Sequence, residues 1–481
     1  MNHLASTLVA LSLALSATAD YTTSIDAKSN RGKWDGWGTS LAWWANRFGD
    51  RDDLADIFFT TNTTVWLGAS LPGLGLNIVR HNAGASSWNS INGEQMVVSS
   101  NMIASRQIHG HWIDWNSADP KSKSWVWDVD HNQRAMMLKA RDRGANRFEL
   151  FSNSPMWWMT YNHNPAGADD GGENIQSWNL VNHTVYLATI ARYAKDNWNV
   201  TFETVEPFNE PYGNWWRADR TQEGCHFETD TQAMVIDALR KELDDRNLTE
   251  IGVAASDESK YDEAFYNWKD MNLNTLKNVK RINVHGYQYQ DGERDGLAWL
   301  SKHRGQPIWN TEFGEDDTTG EKLASCLIMD FRSLLPTAWV YWQVLDGGGW
   351  GLIEADNESG KLGAAHQKYF VLAQFTRHIR DGMRILDGGS EATVAAYNEA
   401  ESKLVIVSVN WDDAQYVNFD LGSFTKAATD GAKITRWRTQ IGDDGGDRYV
   451  EAHDTVVSGT GFRSWFEQRV IQTFEIENVK L

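Results

Sequence analysis

Eight short runs of apolar, β-branched and aromatic residues recur between positions 34 and 343, at 34–39, 75–81, 146–151, 199–205, 250–255, 281–286, 307–311 and 338–343. Stretches of helical periodicity lie between and after them, at 132–143, 178–197, 230–245, 258–271, 295–302, 321–334 and 365–380. Strands that are apolar on both faces belong in a sheet covered on both sides, and alternation with helices makes that sheet parallel. Eight such units predict an α/β fold of the (β/α)8 TIM-barrel type over residues 34–384. One long irregular segment, 83–124, interrupts the pattern and carries Trp88, Trp112 and Trp115. Structureless segments of that length inside compact domains are usually functional.

Beyond Gly388 the periodicity changes. Residues 393–397, 403–410, 414–419, 434–437 and 470–475 read as strands between turn residues, with no helical pattern. This predicts an appended C-terminal antiparallel β-sandwich over 385–481. Residues 21–25 read as a lone strand ahead of the barrel. A chain of 481 residues accommodates a barrel of about 250 residues or more together with a second unit.

The formal net charge of −20 argues against a basic surface for nucleic acid or anionic membrane. Residues 4–15 form an apolar run too short to span a membrane, and Ala17-Thr18-Ala19 offers a small-residue cleavage site before Asp20. Residues 1–19 are therefore read as a secretory signal peptide, although the start holds no Lys or Arg, only His3. The expected location is extracellular. Sequons at Asn62, Asn182, Asn199, Asn247 and Asn357 are compatible with a secreted glycoprotein. Cys225 and Cys326 could pair in an oxidising compartment. No His/Cys cluster has metal-ligand spacing, so neither metal nor cofactor is expected. The 25 tryptophans exceed what a core needs, and the surplus rings suit the faces of sugars.

Two carboxylates give this scaffold a chemistry. Glu206-Pro207-Phe208-Asn209-Glu210-Pro211 follows the fourth run, and its prolines stop regular structure. Glu210 thus lies past the carboxyl end of a strand, the catalytic face of an α/β barrel. Glu312 ends the seventh run, in Trp309-Asn310-Thr311-Glu312-Phe313-Gly314. Two such glutamates can converge over one barrel mouth. Glycoside cleavage with retention needs a pair roughly 5 Å apart, one protonating the leaving oxygen and one attacking the anomeric carbon.

With these elements in place the chain resembles glycoside hydrolase family 30, of clan A. The likeness rests on Asn209-Glu210-Pro211 and on four further stretches. These are Trp37-Gly38-Thr39-Ser40-Leu41-Ala42-Trp43-Trp44, Asn77-Ile78-Val79-Arg80-His81-Asn82, Ser152-Asn153-Ser154-Pro155-Met156-Trp157-Trp158 and Trp309-Asn310-Thr311-Glu312-Phe313. The resemblance implies that residues 20–33 join the sandwich. It implies Glu210 as acid/base and Glu312 as nucleophile, with Asn209 on the sugar 2-hydroxyl and Arg80 beside the nucleophile. His285 and Tyr287 would flank the pair, Trp342 would floor the cleaved sugar, and Trp37 and Trp158 would complete the substrate-binding set. In the doublets Trp157-Trp158 and Trp215-Trp216, one ring each is expected over sugar and one in the core. Glu210 is expected to start protonated and Glu312 charged, with Arg80 biasing the pair.

Within the family the likeness is nearest to fungal secreted enzymes that cut β-1,6-galactan, the side chains of arabinogalactan. The implied activity is therefore retaining endo-hydrolysis of that polysaccharide by a monomer. The alternatives are a β-1,6-glucanase or another family 30 β-glycanase, and, from another class, a non-catalytic carbohydrate-binding protein on a hydrolase scaffold.

Overall fold

In the structure, a computed structural model that describes residues 21–442 and 446–481, the eight runs form one closed parallel barrel. In chain order its strands are Gly36–Ser40, Ile78–Asn82, Arg147–Phe151, Thr204–Glu206, Gly252–Glu258, Val279–His285, Ile308–Phe313 and Ala338–Tyr341. The eighth pairs with the first in register Trp339 to Trp37, which closes the ring. The expected signal peptide lies outside the described residues. No helix among the described residues is long and apolar enough to cross a membrane.

Two boundaries differ from expectation for physical reasons. The fourth strand is only three residues long, because Pro207 has no N–H to extend the ladder. The fifth runs on to Glu258, and the following helix begins only at Tyr261. The acidic tail Ser256-Asp257-Glu258 reads as a helix start, yet Arg80 and Thr311 hold Asp257 inside the barrel as strand. Between the first and second strands the chain also forms helices Trp44–Phe48 and Asp52–Phe59 and a hairpin of Thr63–Trp66 with Ala69–Pro72, none of which the periodicity predicts.

The C-terminal unit packs a six-stranded sheet on a three-stranded one. The larger follows the order Arg384–Leu386, Thr393–Asn398, Lys403–Asn410, Val470–Ile476, Lys433–Gln440, Val450–Val456. The smaller joins Tyr21–Ser24, Gln415–Asp420 and Gly461–Phe466, with the N-terminal strand parallel to its neighbour. Strands Val450–Val456 and Gly461–Phe466 were not anticipated. Val450–Val456 is exposed at all but two positions, and Gly461–Phe466 turns every second residue to water, so neither carries a long apolar run. Phe419, Phe462, Phe466 and Phe474 fill the space between the sheets.

The outer face of the larger sheet docks on the barrel. Val405, Val407 and Ile471 share the barrel's own core, and helix Gln367–Thr376, buried along its whole length, lies between the two units. Gln374 donates to Thr439 and accepts from Thr473 across this seam. The two cysteines do not pair. Cys225 sits in a loop and Cys326 on helix Glu321–Met329, both buried, and burial pushes the Cys225 thiol up to about 12.

Candidate active site

A layer of buried charge fills the barrel below its mouth. Glu149, on the third strand, accepts from Arg80 Nε at 2.7 Å, Thr204 Oγ1 at 2.8 Å and Asn283 Nδ2 at 3.0 Å, and also pairs with Arg281. The Arg281 guanidinium lies over the Trp309 ring, 3.3 Å from its centroid. Arg80 then reaches upward. It pairs with Asp257, donates to the Thr311 carbonyl at 3.1 Å, and stands 3.7 Å from Glu312 Oε2. Arg80 therefore occupies both of the environments the sequence allows: it is bridged inside the barrel and is also within reach of Glu312.

The mouth is built on this layer. Glu210 has φ of 48°, a left-handed conformation rare for a residue with a long side chain, and rarer before proline. Three bonds hold it there. Its N–H donates to the Asp257 carbonyl at 2.9 Å, and its own carbonyl accepts from Trp216 Nε1 at 2.9 Å and Gly213 N at 3.1 Å. Glu312 projects from the seventh strand, with Oε1 2.8 Å from the donating Tyr287 hydroxyl. His285 Nδ1 lies 3.3 Å from Glu210 Oε1 and 3.6 Å from Glu312 Oε1, and its Nε2 lies 3.3 Å from Asp257 Oδ1. Asn209, which precedes Glu210 in the chain, is buried, and its Oδ1 has no hydrogen-bond partner in the protein.

Burial alone would lower the His285 pKa, but Glu312 and Asp257 raise it to about 10, so the ring is a cation. Burial raises the Glu312 carboxyl to about 7, helped by the charges of Glu210 and Asp257 against His285 and Arg80. This differs from the expected fully charged Glu312: Arg80 is engaged chiefly by Glu149 and Asp257, so its charge is only partly available to the nucleophile position. The rise depends in part on Glu210 being ionised, as in any closely coupled carboxylate pair. A proton on Glu210 removes that contribution.

One ligand atom from each of Glu210, His285 and Glu312 falls within 4.8 Å of the others, close enough to suggest a metal site. The same spacing suits two carboxylates acting on one glycosidic bond.

A cleft of about 810 Å³ opens above the pair. Trp342, edge-on to Trp43 at 5.0 Å, lines it with Tyr287, Trp215, Trp216 and Trp350. Arg106, Arg220, Lys260 and Asp346 add charge at its rim. Of the residues expected there, the structure brings together Glu210, Glu312, Arg80, His285, Tyr287 and Trp342, and Asn209 is the buried chain neighbour of Glu210. Two are placed elsewhere. Trp37 points out of the barrel, packs against Trp34, Phe331 and Phe375, and donates from Nε1 to the Ile379 carbonyl at 2.6 Å. Trp158 is also outside the cleft, with Nε1 donating to the Trp112 carbonyl at 2.8 Å. The Trp157-Trp158 doublet is buried in both rings rather than divided between core and sugar. Asp257, Glu149 and Arg281 escape sequence reading because isolated acidic and basic residues on strands carry no motif. Trp43 and Arg106 had weak signals, one inside a quoted motif and one inside the long 83–124 segment.

The model of the O-glycosyl hydrolase family 30 matches residues 14–276 of the chain. An endo-beta-1,6-galactanase of Hypocrea rufa is 52% identical over 477 residues, covering 98% of this chain and 99% of that one. Two solved structures are similar in fold. A conserved exported protein from Bacteroides fragilis has a TM-score of 0.76 at 16% identity, covering 95% of this chain and 100% of that one. A family 30 subfamily 8 xylanase from Clostridium acetobutylicum has a TM-score of 0.66 at 17% identity, covering 95% and 99%. The structural likenesses speak for the barrel-and-sandwich architecture, and the family model with the near full-length relative carries the rest: this chain is a glycosyl hydrolase and belongs to family 30.

Proposed function

We propose that the protein is a secreted, retaining endo-β-1,6-galactanase that acts as a monomer on arabinogalactan side chains. The observation that carries the chemistry is the closeness of Glu210 and Glu312, with an oxygen of each within 4.8 Å. That closeness supports direct attack by one carboxylate, which needs the two carboxyl groups roughly 5 Å apart. The substrate rests on the 52% identity to the Hypocrea rufa enzyme along nearly the whole chain. The leader-like residues 1–19 motivate secretion.

In this reading Glu312 attacks the anomeric carbon while Glu210 gives its proton to the departing oxygen. The bond to the leaving sugar breaks as the Glu312 ester forms, and Glu210, now charged, takes a proton from the water that hydrolyses the ester. His285, cationic and near both oxygens, steadies whichever glutamate carries the charge at each stage. Tyr287 and Arg80 favour the Glu312 anion once Glu210 is protonated. The unpartnered Asn209 Oδ1 accepts from the 2-hydroxyl of the sugar being cleaved, a bond that strengthens as positive charge grows on the ring. Trp342 floors the same sugar.

The test offers purified protein de-arabinosylated β-1,6-galactan beside β-1,6-glucan, β-1,3-galactan and xylan, and follows the first product by NMR. Short galacto-oligosaccharides from the first polymer alone, released as the β anomer, are expected. Glu210→Ala should retain turnover of substrates with good leaving groups and form a glycosyl azide when azide is added. Preference for β-1,6-glucan would replace the substrate, an initial α anomer would replace the mechanism, and binding without turnover would leave a carbohydrate-binding protein.

A further inference from the structure

A second concavity, of about 440 Å³, lies at the same end of the barrel and shares no lining residue with the catalytic cleft. Its walls come from the segments that follow the second and third strands, and Trp158 forms its floor. Two indoles stand at its sides, Trp115 at 38% and Trp178 at 67% exposure. Both are braced edge-on: Trp115 against Trp158 at 6.0 Å, and Trp178 against Tyr161 at 5.7 Å. A ring this exposed gains nothing from core packing, and bracing it without covering it leaves a flat apolar face to water.

Beside the rings runs a chain of side-chain amides. Gln176 Nε2 donates to the Thr160 carbonyl at 3.0 Å, Asn179 Nδ2 to Gln176 Oε1 at 2.6 Å, and Asn182 Nδ2 to Asn179 Oδ1 at 2.7 Å. The chain fixes the orientation of each amide, so their remaining donors and acceptors are set in place before any ligand arrives. No aliphatic side chain and no Lys or Arg lines the pocket. Among the described residues, its lining holds one carboxylate, Glu94, with the His163 imidazole 3.7 Å from it. An apolar peptide would want aliphatic walls, and an anion would meet Glu94 without an Arg or Lys to bind it. Braced indoles with oriented amides match a neutral pyranose, which has a C–H face for stacking and hydroxyls at its edge.

We propose that this pocket binds a neutral sugar residue of the polysaccharide chain, away from the bond being cut. The inference rests on the glycanase reading of the main cleft. It assigns Trp178 and Trp115 as stacking platforms and the Gln176–Asn179–Asn182 amides as hydroxyl partners. Holding a distal part of a long chain raises its local concentration at the cleft, so the pocket lowers KM for polymer and has no bearing on substrates too short to reach it. Asn182 also begins the sequon Asn182-His183-Thr184, and a glycan there would fill the same space.

Affinity electrophoresis of the full chain through gels containing β-1,6-galactan, β-1,6-glucan or xylan reads the pocket, with Glu312→Gln present in every protein, wild type at Trp178 included, so that no polymer is cut. Wild type should be retarded by at least one of these polymers. Trp178→Ala should weaken that retardation roughly three- to tenfold, and Trp178→Phe should restore most of it. On the polymer that is hydrolysed, Trp178→Ala should raise KM by a similar factor with kcat unchanged, while kcat/KM on a trisaccharide of the same linkage, too short to reach the pocket, moves less than about twofold. Failure of the galactanase reading alone would appear as no cleavage of galactan with Trp178-dependent retardation kept. The proposal is overturned by unretarded wild type, by equal losses on polymer and trisaccharide, by retardation indifferent to Trp178, or by a glycan found on Asn182 by mass spectrometry.

Discussion

The inside of the barrel and its mouth are both crowded with charge, and they treat it oppositely. Inside, Glu149 is surrounded by Arg80, Arg281, Asn283 and Thr204, and no water-facing atom is needed to balance it. At the mouth, Glu312 Oε2 and Asn209 Oδ1 are buried without a hydrogen-bond partner, and Glu210 keeps 12% of its side chain exposed. A buried polar atom left unpaired costs stability. Below the mouth mutual pairing covers most of these atoms, with Arg281 Nη1 left over; at the mouth the unpaired atoms include one on each of two residues assigned to the site. His285 and Asp257 join the two layers, since Asp257 pairs with Arg80 beneath and lies 3.3 Å from the imidazole above.

If the mouth trades stability for function, its removal should cost activity and not stability. Glu312→Gln should lower kcat by about four orders of magnitude or more. It should also change the pH dependence of stability. Because the folded Glu312 value, about 7, lies above the ordinary 4.5, the native state keeps a proton that the unfolded chain has released between those pH values. Stability from this group therefore falls as pH rises through that window, and Gln removes the fall. Calorimetry of variant and wild type across that range should show the melting-temperature difference growing in the variant's favour. A variant less stable at every pH would place Glu312 with the interior instead.

The converse holds for the layer below. Glu149→Gln leaves Arg80 and Arg281 buried with an incomplete partner, and should destabilise by about 3–5 kcal/mol in urea unfolding. The activity remaining per folded molecule should keep its KM. A KM shift larger than the stability loss would mean that the two layers are one functional unit.

The smallest effect sharpens where the mouth ends. Trp37→Phe removes the 2.6 Å bond to the Ile379 carbonyl and should cost about 1–3 kcal/mol, with KM on every substrate unchanged. A raised KM would return Trp37 to the substrate site.

Trp37 also shows why the sequence reads unevenly. The strand order, the barrel and the positions of Glu210 and Glu312 follow from distance along the chain, because a residue at a strand's carboxyl end can only reach the mouth. Which way a mid-strand side chain points does not follow. Successive residues face opposite sides, and in a parallel barrel both sides are apolar, so hydropathy cannot tell Trp37, facing the helices, from a residue facing the axis. Trp158 lies outside the catalytic cleft for a related reason: a loop residue's direction depends on what the loop packs against, here Trp112 from the segment after another strand. Strand Val450–Val456 was hidden because an edge strand with charged outer positions has almost no apolar signal.

By itself, then, the sequence determined the alternation that forces a covered parallel sheet, the switch to a sandwich past Gly388, and the two glutamates at strand ends. These are properties of order along the chain, set by hydrophobic period and by turn chemistry. Only the tertiary structure decided that Asp257 belongs to a strand, that Arg80 is shared among Glu149, Asp257 and Glu312, and that burial raises the Glu312 carboxyl above its ordinary value. Pairings and pKa values depend on which side chains from distant strands meet at 3–4 Å in a dry interior, where Coulomb and desolvation energies are both large and nearly cancel. That balance has no counterpart in linear order, and it exists only once the barrel has closed.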